Sequence, residues 1–217
     1  MSAREGAHAA ISLRAFIRLN VPGQENEVPR IPLVTPDQPM TAEQRRVYDA
    51  VASGPRGVVQ GPLLAALHRP ELAEKWQQLG ELLRYRTSLS PQLSEVAILV
   101  TAQRSRCQLE WHLHEGFAAK AGVPRAVIDE IYAGRRPTSA EPQMLAIHDY
   151  AAELQERRAV SERTYRRALD YWGVVGVVEL TALIGYYTMV AMTLNAHEIP
   201  LPAGAEPPFP TIADQAK

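Results

Sequence analysis

Residues 174–194, VVGVVELTALIGYYTMVAMTL, are the one stretch long enough to cross a bilayer. A run of this length exceeds a strand and has to be helical, and a helix apolar on every side must be wrapped by lipid or by a protein core. Glu179, Thr181, Thr188 and Thr193 interrupt the run, and NAHEIPLP follows it at once. Those features favour a central helix buried within a helical body. No membrane association is expected.

The rest of the chain reads as further helices of matching kind. Thr41 opens one with the capping-box pattern T-A-E-Q, running to about Ser53. GPRGVVQGP is a turn-rich loop, followed by the short apolar run Leu63–Leu67. Pro70 starts a helix to about Arg86, with Leu72, Trp76, Leu79, Leu82 and Leu83 expected on one face. Ser90-Pro91 is an N-cap and first-turn pair for the next. Another spans roughly Cys107–Ala121 and stops at Gly122, and Pro124 begins one that ends near Gly134. Two more cover about Glu141–Gln155 and Ser161–Trp172, before the apolar helix. No segment combines strand alternation with hairpin turns, so the expected class is all-α.

Residues 1–40 are expected to be an extended arm, because Pro22, Pro29, Pro32, Pro36 and Pro39 prevent a helix. Residues 41–200 then form a single helical domain, and 201–217 a proline-rich tail. LSEVAILVTA (93–102) and VVELTALIGY (177–186) each carry a glutamate near the start of an apolar helix, a weak sign of internal duplication.

Composition sets the outer limits. The 217 residues are 46% hydrophobic and 22% charged, enough for one full core. A formal net charge of −1 with no basic stripe argues against nucleic-acid binding. The single cysteine excludes an internal disulfide and suits a reducing, cytoplasmic setting. The N-terminal residues lack the apolar core and cleavage pattern of a secretory signal.

The chemistry-bearing pattern is Glu95, Cys107, Glu110 and His114, spaced E-x11-C-x2-E-x3-H. Residues 107, 110 and 114 fall on one helical face, with Glu95 arriving from the preceding helix. The set suffices for proton transfer, whereas dithiol redox chemistry would need a second cysteine. Trp111, Tyr186, Tyr187 and Asn195 are further candidates to line a pocket, and Trp111 is equally suited to the core. Arg56, Arg86 and Arg104 are candidate anchors for an anionic substrate, since guanidinium binds carboxylate bidentately. His112 points to the opposite side of its helix.

The blocks RVYDAVASGPRG, PELAEKWQQLGELLRYRTSL, SEVAILVTA, EWHLHEG and GYYTMVAMTLNAHEIPLP, in that order, resemble the carboxymuconolactone decarboxylase family. The resemblance runs from about Ile31 to Pro202. It implies an alkyl hydroperoxidase D-like all-α bundle, assembled as a homo-oligomer (trimer or hexamer) with sites at or near subunit interfaces. The peroxidase-like branch carries E-x11-C-x2-C-x3-H. Glu95, Cys107 and His114 match it, but Glu110 stands at the second cysteine. The decarboxylase branch carries E-x3-H without the cysteine pair, which Glu110 and His114 match.

The resemblance therefore implies a cofactor-independent lyase acting on a small unsaturated lactone or carboxylic acid. His114 is the candidate general acid/base. Glu110, one turn earlier, could orient the imidazole and raise its pKa. Glu95 could share that proton, or be kept neutral by burial and act as a donor. Three other readings stay open. Cys107 alone could serve a thiol peroxidase, if exposed and of low pKa. Glu95, Glu110 and His114 could ligate a metal, although none is expected. The fold could also serve as a non-catalytic binder of small molecules.

Overall fold

A computed structural model describes residues 28–210. They form eight helices, with no strand among the described residues. The helices are α1 (Ala42–Ser53), α2 (Pro62–Ala66), α3 (Pro70–Tyr85), α4 (Pro91–Arg104), α5 (Gln108–Lys120), α6 (Arg125–Tyr132), α7 (Pro142–Arg157) and α8 (Glu162–Ala196). The local signals explain the starts. Thr41 and Gln44 form the reciprocal capping box of α1. Ser90 caps α4 with Pro91 in its first turn, and Ser161 caps α8.

The centre of the bundle is α4. Every residue from Leu93 to Gln103 is buried, and α5, α6, α7 and α8 all pack against this helix. This corrects the expectation that residues 174–194 are the central, all-round buried helix. By length and composition α8 could cross a membrane, yet half of its apolar window is buried in the bundle. The inner side of α8 carries Leu180, Leu183, Ile184, Tyr187 and Leu194 into the core. Its outer side leaves Val174, Val175, Val178 and Met192 more than half exposed. The run is apolar all round because it serves a core on one side and an uncovered apolar face on the other.

Gly173 breaks α8 between the two stretches read from the sequence. Its φ of 63° and ψ of −172° belong to a region that only glycine occupies readily. Glu179, the acid within the apolar run, accepts from the Ser88 backbone N–H at 2.8 Å and from its hydroxyl at 2.5 Å. It ties the α3–α4 loop to α8, a different task from that of Glu95 in the similar segment of α4.

The residues before α1 run over the ends of α8 and α2. The Arg30 N–H donates to the His197 carbonyl at 2.9 Å, and the Val34 N–H to that of Leu64 at 3.1 Å. At the other end Phe209 is buried against Trp111 and Tyr132, with ring centroids 5.5 and 5.6 Å away. Gln108 brackets it, donating to the Phe209 carbonyl and accepting from its N–H.

A charge cluster fastens α7 to its neighbours. Asp149 accepts two bonds from Arg136, at 2.7 and 2.9 Å, and one from Arg167 of α8 at 2.6 Å. Burial alone would raise its pKa. Hydrogen bonds from His148, Arg136 and Arg167 outweigh that and hold the carboxyl well below its usual range. A carboxyl depressed in the folded state stabilises above its unfolded pKa, near ~3.9, and this contribution is lost as pH falls further. Asp149→Asn should therefore cost about 1–2 kcal/mol near neutral pH. Urea denaturation should show the gap between variant and wild type closing below about pH 4; a gap independent of pH would contradict the assignment.

Candidate active site

The site is assembled on the α4–α5 hairpin. Arg106 takes a positive φ of 49° at the reversal, and the Cys107 N–H bonds back to the Ala102 carbonyl at 3.0 Å. The two helices then run antiparallel, with Glu95 about three turns before the bend and His114 about two turns after it. His114 Nδ1 donates to Glu95 Oε2 at 2.7 Å, and both residues are buried. The imidazole is held edge-on by the Phe117 and Tyr187 rings, with centroids 5.5 and 5.0 Å away. Burial lowers the His114 pKa, and Glu95 opposes that shift without cancelling it. The ring is therefore neutral near neutral pH. With Nδ1–H given to Glu95, Nε2 is left as the acceptor.

Glu110 takes a different role from the one its spacing suggested. It is 1% exposed, and neither carboxyl oxygen has a hydrogen-bond partner among the described residues. It does not orient His114, because Glu95 already holds the ring. Burial, and then the nearby Glu95 charge, raise its pKa well above the ordinary carboxyl value. The surroundings of Glu110 thus favour its protonated form.

A cleft of about 60 Å³ joins Glu110 and His114 to residues from elsewhere in the chain, including Arg56, Arg84, Tyr186 and Tyr187. Arg84 Nη2 lies 3.8 Å from Glu95 Oε1, and Nη1 donates to the Tyr187 hydroxyl at 3.2 Å. Its guanidinium also stacks over Phe117 at 4.6 Å. Arg56 Nη2 donates to the Tyr186 hydroxyl at 3.2 Å. A larger cavity, about 390 Å³, lies where α4 and α7 begin near Tyr171. Its lining has Glu141 but no acid–histidine pair, so the smaller cleft is the candidate site.

Several expected site residues lie elsewhere. Arg86, at the end of α3, is exposed and paired with Glu81 at 3.5 Å. Arg104 ends α4 and pairs with Glu156 of α7 at 2.8 Å. Asn195 is one residue beyond Leu194, which lines the cleft, and so is turned off that face; its Nδ2 donates to the Ser105 carbonyl at 2.9 Å. Trp111, next to Glu110 but rotated about 100° around the helix, packs on Tyr132 and Phe209. His112 is exposed, as its position predicts.

Cys107 is fully buried just before α5. Burial pushes its thiol pKa upward. A reactive thiol needs exposure and a lowered pKa, and Cys107 has neither in this structure. Among the described residues, no group of three or more His, Cys, Asp or Glu side chains is arranged to hold a metal ion.

Arg84 was missed by the sequence reading. The available signal was its place one turn after Gly80, on the face that carries the buried Trp76 and Leu83. Arg86, two residues further on, is turned about 200° from that face.

The protonated Glu110 leaves a signature in stability. An unfolded glutamate titrates near ~4.3, whereas the folded chain keeps this proton to higher pH. Its contribution is therefore full below the unfolded pKa and is lost as pH rises toward the folded value. Glu110→Gln removes that loss, so the variant should gain on wild type as pH rises from about 4.3. Urea midpoints across pH test this; parallel profiles would mean that Glu110 is not held neutral.

Residues 70–153 match the model of a family described as the carboxymuconolactone decarboxylase family. A search of curated proteins gave no match. The matched segment runs from the start of α3 into α7 and contains Arg84, Glu95, Cys107, Glu110 and His114. Arg56 and both cleft tyrosines lie outside it. The segment that carries Arg84, Glu95, Glu110 and His114 is therefore similar to the carboxymuconolactone decarboxylase family.

Proposed function

We propose that this protein is a cofactor-independent lyase of the decarboxylase type, acting on a small unsaturated lactone or carboxylic acid. The observation that carries this reading is Glu110, an unpaired buried acid beside a neutral, oriented histidine. Loss of carbon dioxide leaves an electron pair, which must delocalise into an enolate-like system before a proton is added at a remote carbon. A protonated carboxyl in a dry cleft suits that delivery. In this mechanism Glu110 gives its proton to the carbon and is reprotonated from solvent. The overall exchange is one carboxylate and one proton for one carbon–hydrogen bond and carbon dioxide.

His114 offers Nε2 as a base or as a contact to the substrate, with its ring fixed through Glu95. Arg84 supplies positive charge beside Glu95 and lowers the cost of developing negative charge nearby. Tyr187 hydrogen-bonds to Arg84 and packs on His114, which fixes both.

The cleft of about 60 Å³ is small beside the ~300–1,000 Å³ of ordinary ligand pockets. A small substrate, or a wall that opens, fits this size. We further propose self-association, in a cytoplasmic setting, through the exposed outer face of α8 with Val174, Val175, Val178 and Met192. Light scattering should then give a trimer or hexamer, and Val178→Glu should dissociate it; a monomeric wild type would reject this assembly.

Activity is tested with 4-carboxymuconolactone and related unsaturated lactone acids, following carbon dioxide release and ultraviolet absorbance. Glu110→Gln and His114→Ala should each lower kcat by roughly 10²–10⁴-fold, the usual share of general acid–base catalysis. Full turnover in either variant would remove that residue from the mechanism.

A further inference from the structure

Arg56 differs from the other cleft cation in having no acidic partner. Arg84 is answered by Glu95, but no carboxylate lies within ion-pair distance of Arg56 among the described residues. Its Nε is buried and lacks a hydrogen-bond partner. Leaving a guanidinium partly desolvated and unpaired is costly unless an anion arrives to complete it.

The surroundings of Arg56 are built to hold it in place. Arg56 donates to the Tyr186 oxygen at 3.2 Å, so the tyrosine's own O–H remains available to a ligand. Beneath the pair lies Gly80, on the buried side of α3. A Cβ at that position would come within 2.1 Å of the Tyr186 hydroxyl and 2.4 Å of Arg56 Nη2. Glycine inside a helix costs about 1 kcal/mol relative to alanine, so helix stability favours a side chain there, but one would have to displace the Arg56–Tyr186 pair.

We propose that Arg56 and Tyr186, seated against Gly80, form a carboxylate-binding arm of the cleft, with Gly80 as its positioning residue. The arm takes one carboxylate of a small organic acid through the free part of the guanidinium fork and the tyrosine O–H. It thereby orients the molecule for proton transfer by Glu110 and His114, and to that extent rests on the lyase reading. Binding itself is measurable without turnover.

The test is calorimetric titration of the full chain with crotonate, using crotonamide as the uncharged counterpart. Wild type should bind crotonate and discriminate against crotonamide. Arg56→Gln should weaken crotonate binding tenfold or more and abolish the discrimination. Gly80→Ala should weaken it comparably while circular dichroism shows a folded protein; should that variant not fold, Arg56→Gln and Tyr186→Phe carry the test. Arg86→Gln and Arg104→Gln should bind as wild type does. No crotonate binding by wild type, equal binding by Arg56→Gln, or no preference over crotonamide would each overturn the arm. Failure of every lactone to turn over, with Arg56-dependent crotonate binding intact, would instead strike the lyase reading and leave the arm standing.

Discussion

A carboxylate on the most deeply buried helix has to be answered from close by, and the arrangement of the site follows from how Glu95 is answered. α4 is buried along nearly its whole length, so water cannot solvate that acid. His114 supplies a hydrogen bond at 2.7 Å from the adjoining antiparallel helix, and Arg84 supplies charge from α3. Both partners are thereby fixed where a substrate could meet them. The sharp reversal at Arg106 keeps α4 and α5 in register for this pairing, and Asn195 braces the turn from the end of α8.

Once Glu95 has taken the imidazole, Glu110 is left without a partner. It lies in the same cleft, near an acid that opposes its ionisation. Two glutamates in one site thus acquire opposite roles through their surroundings. One accepts the histidine's proton in a hydrogen bond, and the other retains its own. The same burial that favours a protonated Glu110 suppresses the thiolate of Cys107. Under the proposed function, Glu110 at the motif's second cysteine position serves as a proton store in place of a redox pair.

Much of the fold was legible because its boundaries are chemical. Capping hydroxyls, first-turn prolines and Gly173 mark the helix ends, and the match extends to the break within α8. The depth of each helix was less legible. Residues 93–103 and 174–194 are both apolar runs, and nothing in either says which has neighbours on all sides. In the site, Glu95, Glu110 and His114 could be read from spacing, since a helical hairpin maps sequence distance onto position. Their roles could not, because an i,i+4 acid and histidine need not touch when a second helix offers a better partner. The arginines show the same limit. Arg84 and Arg86 look alike in the sequence, and a rotation about the helix axis separates a cleft residue from a surface one.

The most direct test of this account is infrared spectroscopy of the protonated-carboxyl carbonyl band at neutral pH, comparing wild type with Glu110→Gln. A band present in wild type and missing from the variant is the predicted result. Absence of any such band in wild type, or its persistence in Glu110→Gln, would show that Glu110 is not the site's stored proton.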